Sequence, residues 1–435
     1  MKSIINFMAM LVTVMSLTAQ TSNIPAPPQS EPIVLKGATA HIGNGKVISN
    51  AVIAFENGKI TAIGDESNTA VPSGFTTINV QGKHIYPGFI LPASDMGIVE
   101  VGSVRATVDG SETGDYNPNI RAIIAYNTDS ELPPTMRFNG ILMAQIAPSG
   151  GIIAGKSSVV QLDAWNWEDA AIKTDEGIHL YWPNKVSNPR WWLGETQGSK
   201  NDRYEPIIKE LNTLFHEAQV FGKGTPEKSN LKLAAMQGLF DGTVSLYIYA
   251  NNASSIIESI TLAKNHGVKK IVLVGGAESL LVVEFLKSNN IPVILADIHA
   301  LPGKDHDDTV LPYKLPADLY KEGIEFCFGF SGRMTARARN IPFYAGTAVA
   351  YGLPYEEAVK ALTSTPARIF QIDSFAGTLE VGKDATFFVS SGDALDMRGN
   401  QMEHVFIQGR QPQLEATQQL LYKKYSEKYG HKIND

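Results

Sequence analysis

Cysteine is almost missing from this chain: Cys327 is the only one in 435 residues. No disulfide can therefore form within it, and Cys327, set in the apolar run Ile324-Glu325-Phe326-Cys327-Phe328, reads as a small core hydrophobe. Basic blocks are lacking as well. The net charge is −7, and no cluster of Lys and Arg supplies the electrostatic footprint that nucleic-acid binding needs. Long apolar runs are confined to the N-terminus, where Lys2 precedes Ile4–Leu17 and the small or polar Thr18-Ala19-Gln20 follows. That run falls short of the ~20 residues of a membrane span and has the form of a signal peptide over residues 1–20. The expectation is an exported protein, periplasmic or secreted, with no membrane span after cleavage.

What is present is ordinary for a folded chain, with 43% hydrophobic and 19% charged residues, a balance that argues against bulk disorder. Residues 21–32 (TSNIPAPPQSEP) read as a linker. From Ile33 the pattern changes to short alternating strands broken by turn signals, as in Val52-Ile53-Ala54-Phe55, Glu56-Asn57-Gly58 and Lys59-Ile60-Thr61-Ala62-Ile63. The chain ends in the same manner, with ATFFVS from Ala385 and HVFIQ from His404. Segments 33–86 and 376–412 are therefore expected to form one composite β-sandwich domain, with 413–435 as a C-terminal helix or tail.

The middle alternates continuous apolar strands with helices of about ten residues: TVSLYIYA from Thr243, a helix from Ser254, KIVLV from Lys270, ESLLVVEFLK from Glu278, IPVIL from Ile291 and IEFCFGF from Ile324. Such strands are buried on both faces and belong to parallel β-α units. Periodicity alone leaves an open doubly wound sheet and a closed eight-stranded barrel as alternatives. Pro354, with Glu356 and Glu357 in the first turn, marks a further helix start.

Several segments, taken in order, settle that choice by resemblance. Asn57-Gly58-Lys59-Ile60, Tyr86-Pro87-Gly88-Phe89-Ile90, Pro148-Ser149-Gly150-Gly151-Ile152-Ile153-Ala154-Gly155, Gly352-Leu353-Pro354-Tyr355-Glu356-Glu357-Ala358 with Thr365-Pro366-Ala367-Arg368-Ile369, and Gly377-Thr378-Leu379-Glu380-Val381-Gly382-Lys383-Asp384-Ala385 together resemble the amidohydrolase superfamily, in its imidazolonepropionase-like branch. The resemblance implies an α/β fold: a (β/α)8 TIM-like barrel over 87–375, elaborated at 98–225, plus the small β-sandwich. It also implies hydrolysis of carbon–nitrogen bonds other than peptide bonds by water activated on zinc or another divalent metal.

The metal positions depart from the family's pattern. Two histidines one residue apart end the first barrel strand in active members, and residues i and i+2 of a strand face the same way. Here those positions are Ala93 and Asp95. Later ligands, two histidines and an aspartate that also serves as general base, map to Tyr249, to Gly275 and to Ser331 or Gly332. A methyl group has no lone pair and one carboxylate holds a divalent ion weakly, so no metal cofactor is expected. The reading is a metal-depleted, non-catalytic relative that binds a small molecule or associates with itself or an active paralogue.

The alternative is a divergent hydrolase of cyclic amides, dipeptides or lactones, with Asp95 as base and His299 or His179 as partner. His299 and His306 flank an acidic loop after Ile291–Leu295, readable as a relocated ligand site or as a solvated loop. His179 falls in the elaborated region, from which it could reach the mouth, whereas His41 and His84 fall in the small sheet. Trp165, Trp167, Trp182, Trp191 and Trp192 make either a stacking surface or packing for the elaboration. The Gly-rich segment after Pro148 lacks the lysine-hydroxyl ending of a phosphate loop.

Overall fold

The computed structural model describes residues 24–431 except 72, 188, 190–192, 195, 224–228, 297, 303–306 and 331–333. The signal-like segment, His306, Ser331, Gly332, Trp191 and Trp192 thus lie outside the described residues.

The chain begins with strands β1 (Ile33–His41), β2 (Val47–Glu56), β3 (Lys59–Asp65), β4 (Thr76–Asn79) and β5 (His84–Pro87). Alternation buries one side of them, as in Leu35, Ile53, Phe55 and Ile85. The chain then leaves this sheet to build a barrel from β6 (Phe89–Ser94), β7 (Ile141–Ile146), β8 (Ile153–Gln161), β9 (Ala171–Tyr181), β10 (Ser245–Ala250), β11 (Ile271–Gly275), β12 (Val293–Leu295) and β13 (Phe326–Phe328). It returns through β14 (Phe387–Ser390) and β15 (Met402–Phe406).

β14 pairs antiparallel with β5, so strands from both ends of the chain share one seven-stranded sheet of order β15-β14-β5-β1-β2-β3, with β4 beside β1. Hydrogen bonding joins all seven strands, where two stacked sheets were expected. The reason lies in β1, whose first half pairs β4 and whose second half pairs β5, with register shifts near Ala38 that let the strand bend. Phe55, Phe387 and Phe406 close its core, with ring centroids 4.9–5.4 Å apart, the offset and edge contacts aromatic rings prefer.

The barrel strands run in sequence order from β6 to β13. The apolar runs β10 to β13 pair in parallel and are almost wholly buried. One strand departs from the expected (β/α)8 alternation: β8 pairs antiparallel with both β7 and β9. The Gly-rich segment after Pro148 makes the reversal between β7 and β8, with Gly150 at φ 84° and Gly151 at φ 65°, conformations that glycine adopts without strain. No long helix is then needed to bring the chain back. The elaborated region therefore supplies three barrel strands and the 18-residue helix Tyr204–Phe221.

Side chains fill the lumen, including Ile90, Met143, Val159, Val272, Ile294 and Cys327, with Phe370 and Ile372 packed against them, so this is a core and not a pore. No described helix is long and apolar enough to cross a membrane.

Candidate functional site

Seven of the eight barrel strands point their C-terminal ends the same way, and a cavity of about 250 Å³ opens there. It is lined by residues at or just beyond those ends: Ala93 on β6 and Asp95 just after it, Ala147 and Ser149 after β7, Tyr181 on β9, Tyr249 on β10, Val274 on β11, Ala296 after β12 and Phe330 after β13. This is the usual position of a ligand site on such a barrel.

Ala93 and Asp95 reach the same cavity, although the backbone between them is irregular. Ala93 sits at φ 49°, and its N–H donates to Gln145 Oε1 at 2.9 Å. Thr335 Oγ1 donates to Asp95 Oδ1. Burial pushes the Asp95 carboxyl above its ordinary pKa, and the Thr335 bond pulls it partly back.

Tyr181 and Tyr249 stack with centroids 4.1 Å apart at 15°, and burial raises the pKa of both phenols. Tyr249 OH bonds His179 Nδ1 at 2.9 Å, and Tyr181 OH donates to the Pro148 carbonyl at 3.3 Å.

His179 does not line the cavity. Register places it opposite Tyr247 on the lumen side of β9, one layer beneath Tyr181 and Tyr249. It stacks on Tyr247 at 4.8 Å and is fully buried, which pushes its pKa down to about 3. The imidazole is thus neutral, and Nε2 has no protein partner.

His299 is exposed, bonds Thr347 Oγ1 at 2.7 Å and packs on Tyr344 with centroids 4.4 Å apart. The structure does not bring Asp95, His179 and His299 onto one reacting point. The period-2 rule puts His179 one layer too deep, and the chain after β12 carries His299 onto the helix Ile341–Ala350.

Gly275 lines a neighbouring cavity of about 690 Å³, between the ends of β11 and β12. Its φ is 100°, and a Cβ there would lie 2.5 Å from Asn251 Oδ1. A side chain at 275 would be strained, and the Asn251 amide would have to move aside. The donor set of the four described positions is then one methyl, one carboxylate, one phenol already bonded to a histidine, and a glycine. Those residues do not fit a divalent metal, and no group of three or more His, Cys, Asp or Glu able to hold one occurs among the described residues.

Beneath the cavity lies a polar network that sequence reasoning missed. Glu176, 1% exposed, accepts from Gln145 Nε2 at 2.6 Å, Ser157 Oγ at 2.5 Å and Tyr247 OH at 2.7 Å. Tyr181, Phe330 and Thr335 were also missed. Tyr181 was findable, since it stands two residues beyond His179 on one strand. Thr335 was not, being 240 residues from its partner Asp95.

The other singled-out residues lie elsewhere. His41 bonds Glu356 Oε1 at 2.7 Å and His84 at 3.2 Å, between the small sheet and the helix Tyr355–Leu362. Trp182 is buried, Trp167 packs on the core and Trp165 is 66% exposed, so these three build no common stacking surface.

The fold and this site define an amidohydrolase-type architecture: a nearly closed eight-stranded barrel with a second sheet. Residues 233–412 match the model of the amidohydrolase family, a range that runs from just before β10 to just beyond β15. An amidohydrolase from Thermotoga maritima MSB8 superposes with a TM-score of 0.76 at 22% identity, covering 87% of this chain and 99% of that one. A putative prolidase from Bifidobacterium longum gives 0.51 at 17% identity, over 92% and 100% of the two chains. The A. niger ochratoxinase gives 0.51 at 14% identity, over 88% and 96%. These likenesses establish the fold. No curated protein matches the chain. The site residues 93, 95, 179 and 181 all precede the range of the family match.

Proposed function

We propose that this chain is an exported amidohydrolase-superfamily protein of the imidazolonepropionase-like branch that binds a small molecule at its barrel mouth without metal-dependent hydrolysis. One observation carries the reading: at the ends of β6, β10 and β11 stand Ala93, Asp95, Tyr249 and Gly275, and the backbone at 275, with φ 100°, is one that side chains rarely adopt. Activated water needs a cation held by about three protein groups with an open position. The export part rests on Lys2 and the apolar run Ile4–Leu17 alone.

The divergent-hydrolase alternative requires Asp95 and a histidine to share a reacting atom within hydrogen-bond reach. His179 is one layer below and His299 is bonded to Thr347, so the geometry gives that alternative no support. The test is turnover of a panel of cyclic amides, dipeptides and lactones, with and without added zinc, manganese or iron. The expected result is no hydrolysis above the buffer rate. Turnover that disappears in Asp95→Asn would refute the reading.

A further inference from the structure

We infer that the cavity at the barrel mouth takes a small organic cation, an ammonium carrying apolar substituents, with its charge against Asp95 and its substituents among Tyr181, Tyr249 and Phe330. The inference rests on the reading of the mouth as a binding site and adds the chemical class of the ligand.

Three observations converge. First, Asp95 is the only residue bearing a formal charge among the described residues that line the cavity; no Lys, Arg or His faces it there. Second, the partners that hold this carboxyl are neutral. Thr335 Oγ1 donates to Oδ1, the Asp95 backbone N–H lies against the carboxyl as well, and no cationic side chain occurs among the described residues of the lining. A buried carboxylate without a counter-charge is costly, and a bound cation would relieve that cost. Burial raises the pKa of Asp95, which agrees with this.

Third, most of the remaining wall is aromatic or aliphatic. Tyr181 and Tyr249 stand as a stacked pair, Phe330 adds a third ring, and Val274, Ile294 and Leu295 lie beside them, with Ser94 and Ser149 adding two neutral hydroxyls. Rings attract cations within about 6 Å of their centroids, and a carboxylate combined with rings suits alkylammonium groups. A bare metal ion would find one carboxylate beside neutral serine and tyrosine hydroxyls, a weak donor set for a divalent cation. A cavity of about 250 Å³ is also far larger than one ion needs. An anionic ligand would meet Asp95 and no counter-charge among the described residues of the lining.

The experiment compares choline with its neutral isostere 3,3-dimethylbutan-1-ol, binding to the purified full chain, by titration calorimetry or ligand-observed NMR. Choline should bind at least about tenfold more tightly, the scale of one desolvated charge contact. Asp95→Asn should abolish that preference while leaving isostere binding unchanged. Phe330→Leu should weaken choline severalfold, which provides a second reading if the Asn variant folds poorly. Equal binding of the two compounds, a preference that survives Asp95→Asn, or no binding of choline up to ~1 mM, the weak end of ligand affinity, would each overturn the inference. These failures are separable from failure of the functional reading, which is decided by metal content and hydrolysis.

Discussion

Replacing Glu176 with alanine is expected to cost about 3–5 kcal/mol of folding stability, the range for breaking a buried ionic or charge-assisted cluster from one side. The side chain is sealed within the barrel, and Gln145, Ser157 and Tyr247 all direct donors at it. Truncation leaves those three donors without an acceptor in the lumen, and an orphaned buried group costs about 1–3 kcal/mol. The three penalties overlap, because the Ser157 hydroxyl keeps the Gly177 carbonyl within 3.5 Å as an alternative acceptor. The effect should be read by urea unfolding with matched m-values. A loss under about 1 kcal/mol would mean that the cluster is not buried as described.

The same residue makes stability depend on pH. Burial raises the Glu176 pKa above the ordinary glutamate value of 4.5, while its three hydrogen bonds and Lys173 oppose the rise. For an acid whose pKa is higher in the folded state, the native protein holds the extra proton between the unfolded and folded values. Its contribution is then fully present below the unfolded pKa and is lost as pH rises through the folded one. Glu176→Gln cannot titrate. The stability of the natural protein relative to Glu176→Gln should therefore fall as pH rises above 4.5. A difference that grows with pH would contradict the direction of the shift.

Gly177→Ala is expected to cost roughly 3 kcal/mol or more, combining overpacking with loss of a hydrogen bond to a carboxylate. An added Cβ would lie 2.1 Å from Tyr247 Cε2, 2.5 Å from Cδ2 and 3.0 Å from Ser157 Oγ. The Tyr247 ring cannot swing aside freely, since it is fully buried and stacked on His179 at 4.8 Å. Displacing it breaks its bond to Glu176 and disturbs the layer that carries Tyr249. Gly102→Ala is the control: a Cβ there meets nothing within 4 Å, and its effect should stay within about 0.5 kcal/mol. Comparable small effects for both variants would show that the lumen is looser than these contacts imply.

How much of this was legible in the residues follows from their physics. Continuous apolar strands announce burial on both faces, so β10 to β13 were recoverable from LYI, IVLV, VIL and FCF within a few residues. The helix starting after Pro354 was marked by its own proline and by Glu356 and Glu357. The strands of residues 141–181 were masked by their composition. AIKTDEGIHLY contains Lys173, Asp175 and Glu176, so no continuous apolar run marks it within the elaborated region, yet Glu176 faces inward because three donors elsewhere in the fold satisfy it. The left-handed Asp175, φ 55°, also breaks the alternation on which face assignment depends.

At the site, Ala93 and Asp95 were legible as a pair because a strand places i and i+2 together. Tyr249 was legible by its position in the fifth barrel strand. The pocket's other determinants were not. Thr335 approaches Asp95 only through tertiary structure. The constraint at Gly275 is a backbone angle together with the neighbouring Asn251, neither of which a one-dimensional pattern carries. His179 and His299 failed to converge for the same reason: a sequence supplies residue types, and the layer a side chain occupies is set by register.

The central claim is that the barrel mouth no longer assembles a metal-binding donor set. Its most direct measurement is elemental analysis of the purified full-length protein after exhaustive dialysis, following incubation with zinc, manganese and iron in turn. The account predicts metal far below one equivalent per chain under every condition. One tightly retained equivalent, lost on substitution of Asp95, would contradict it.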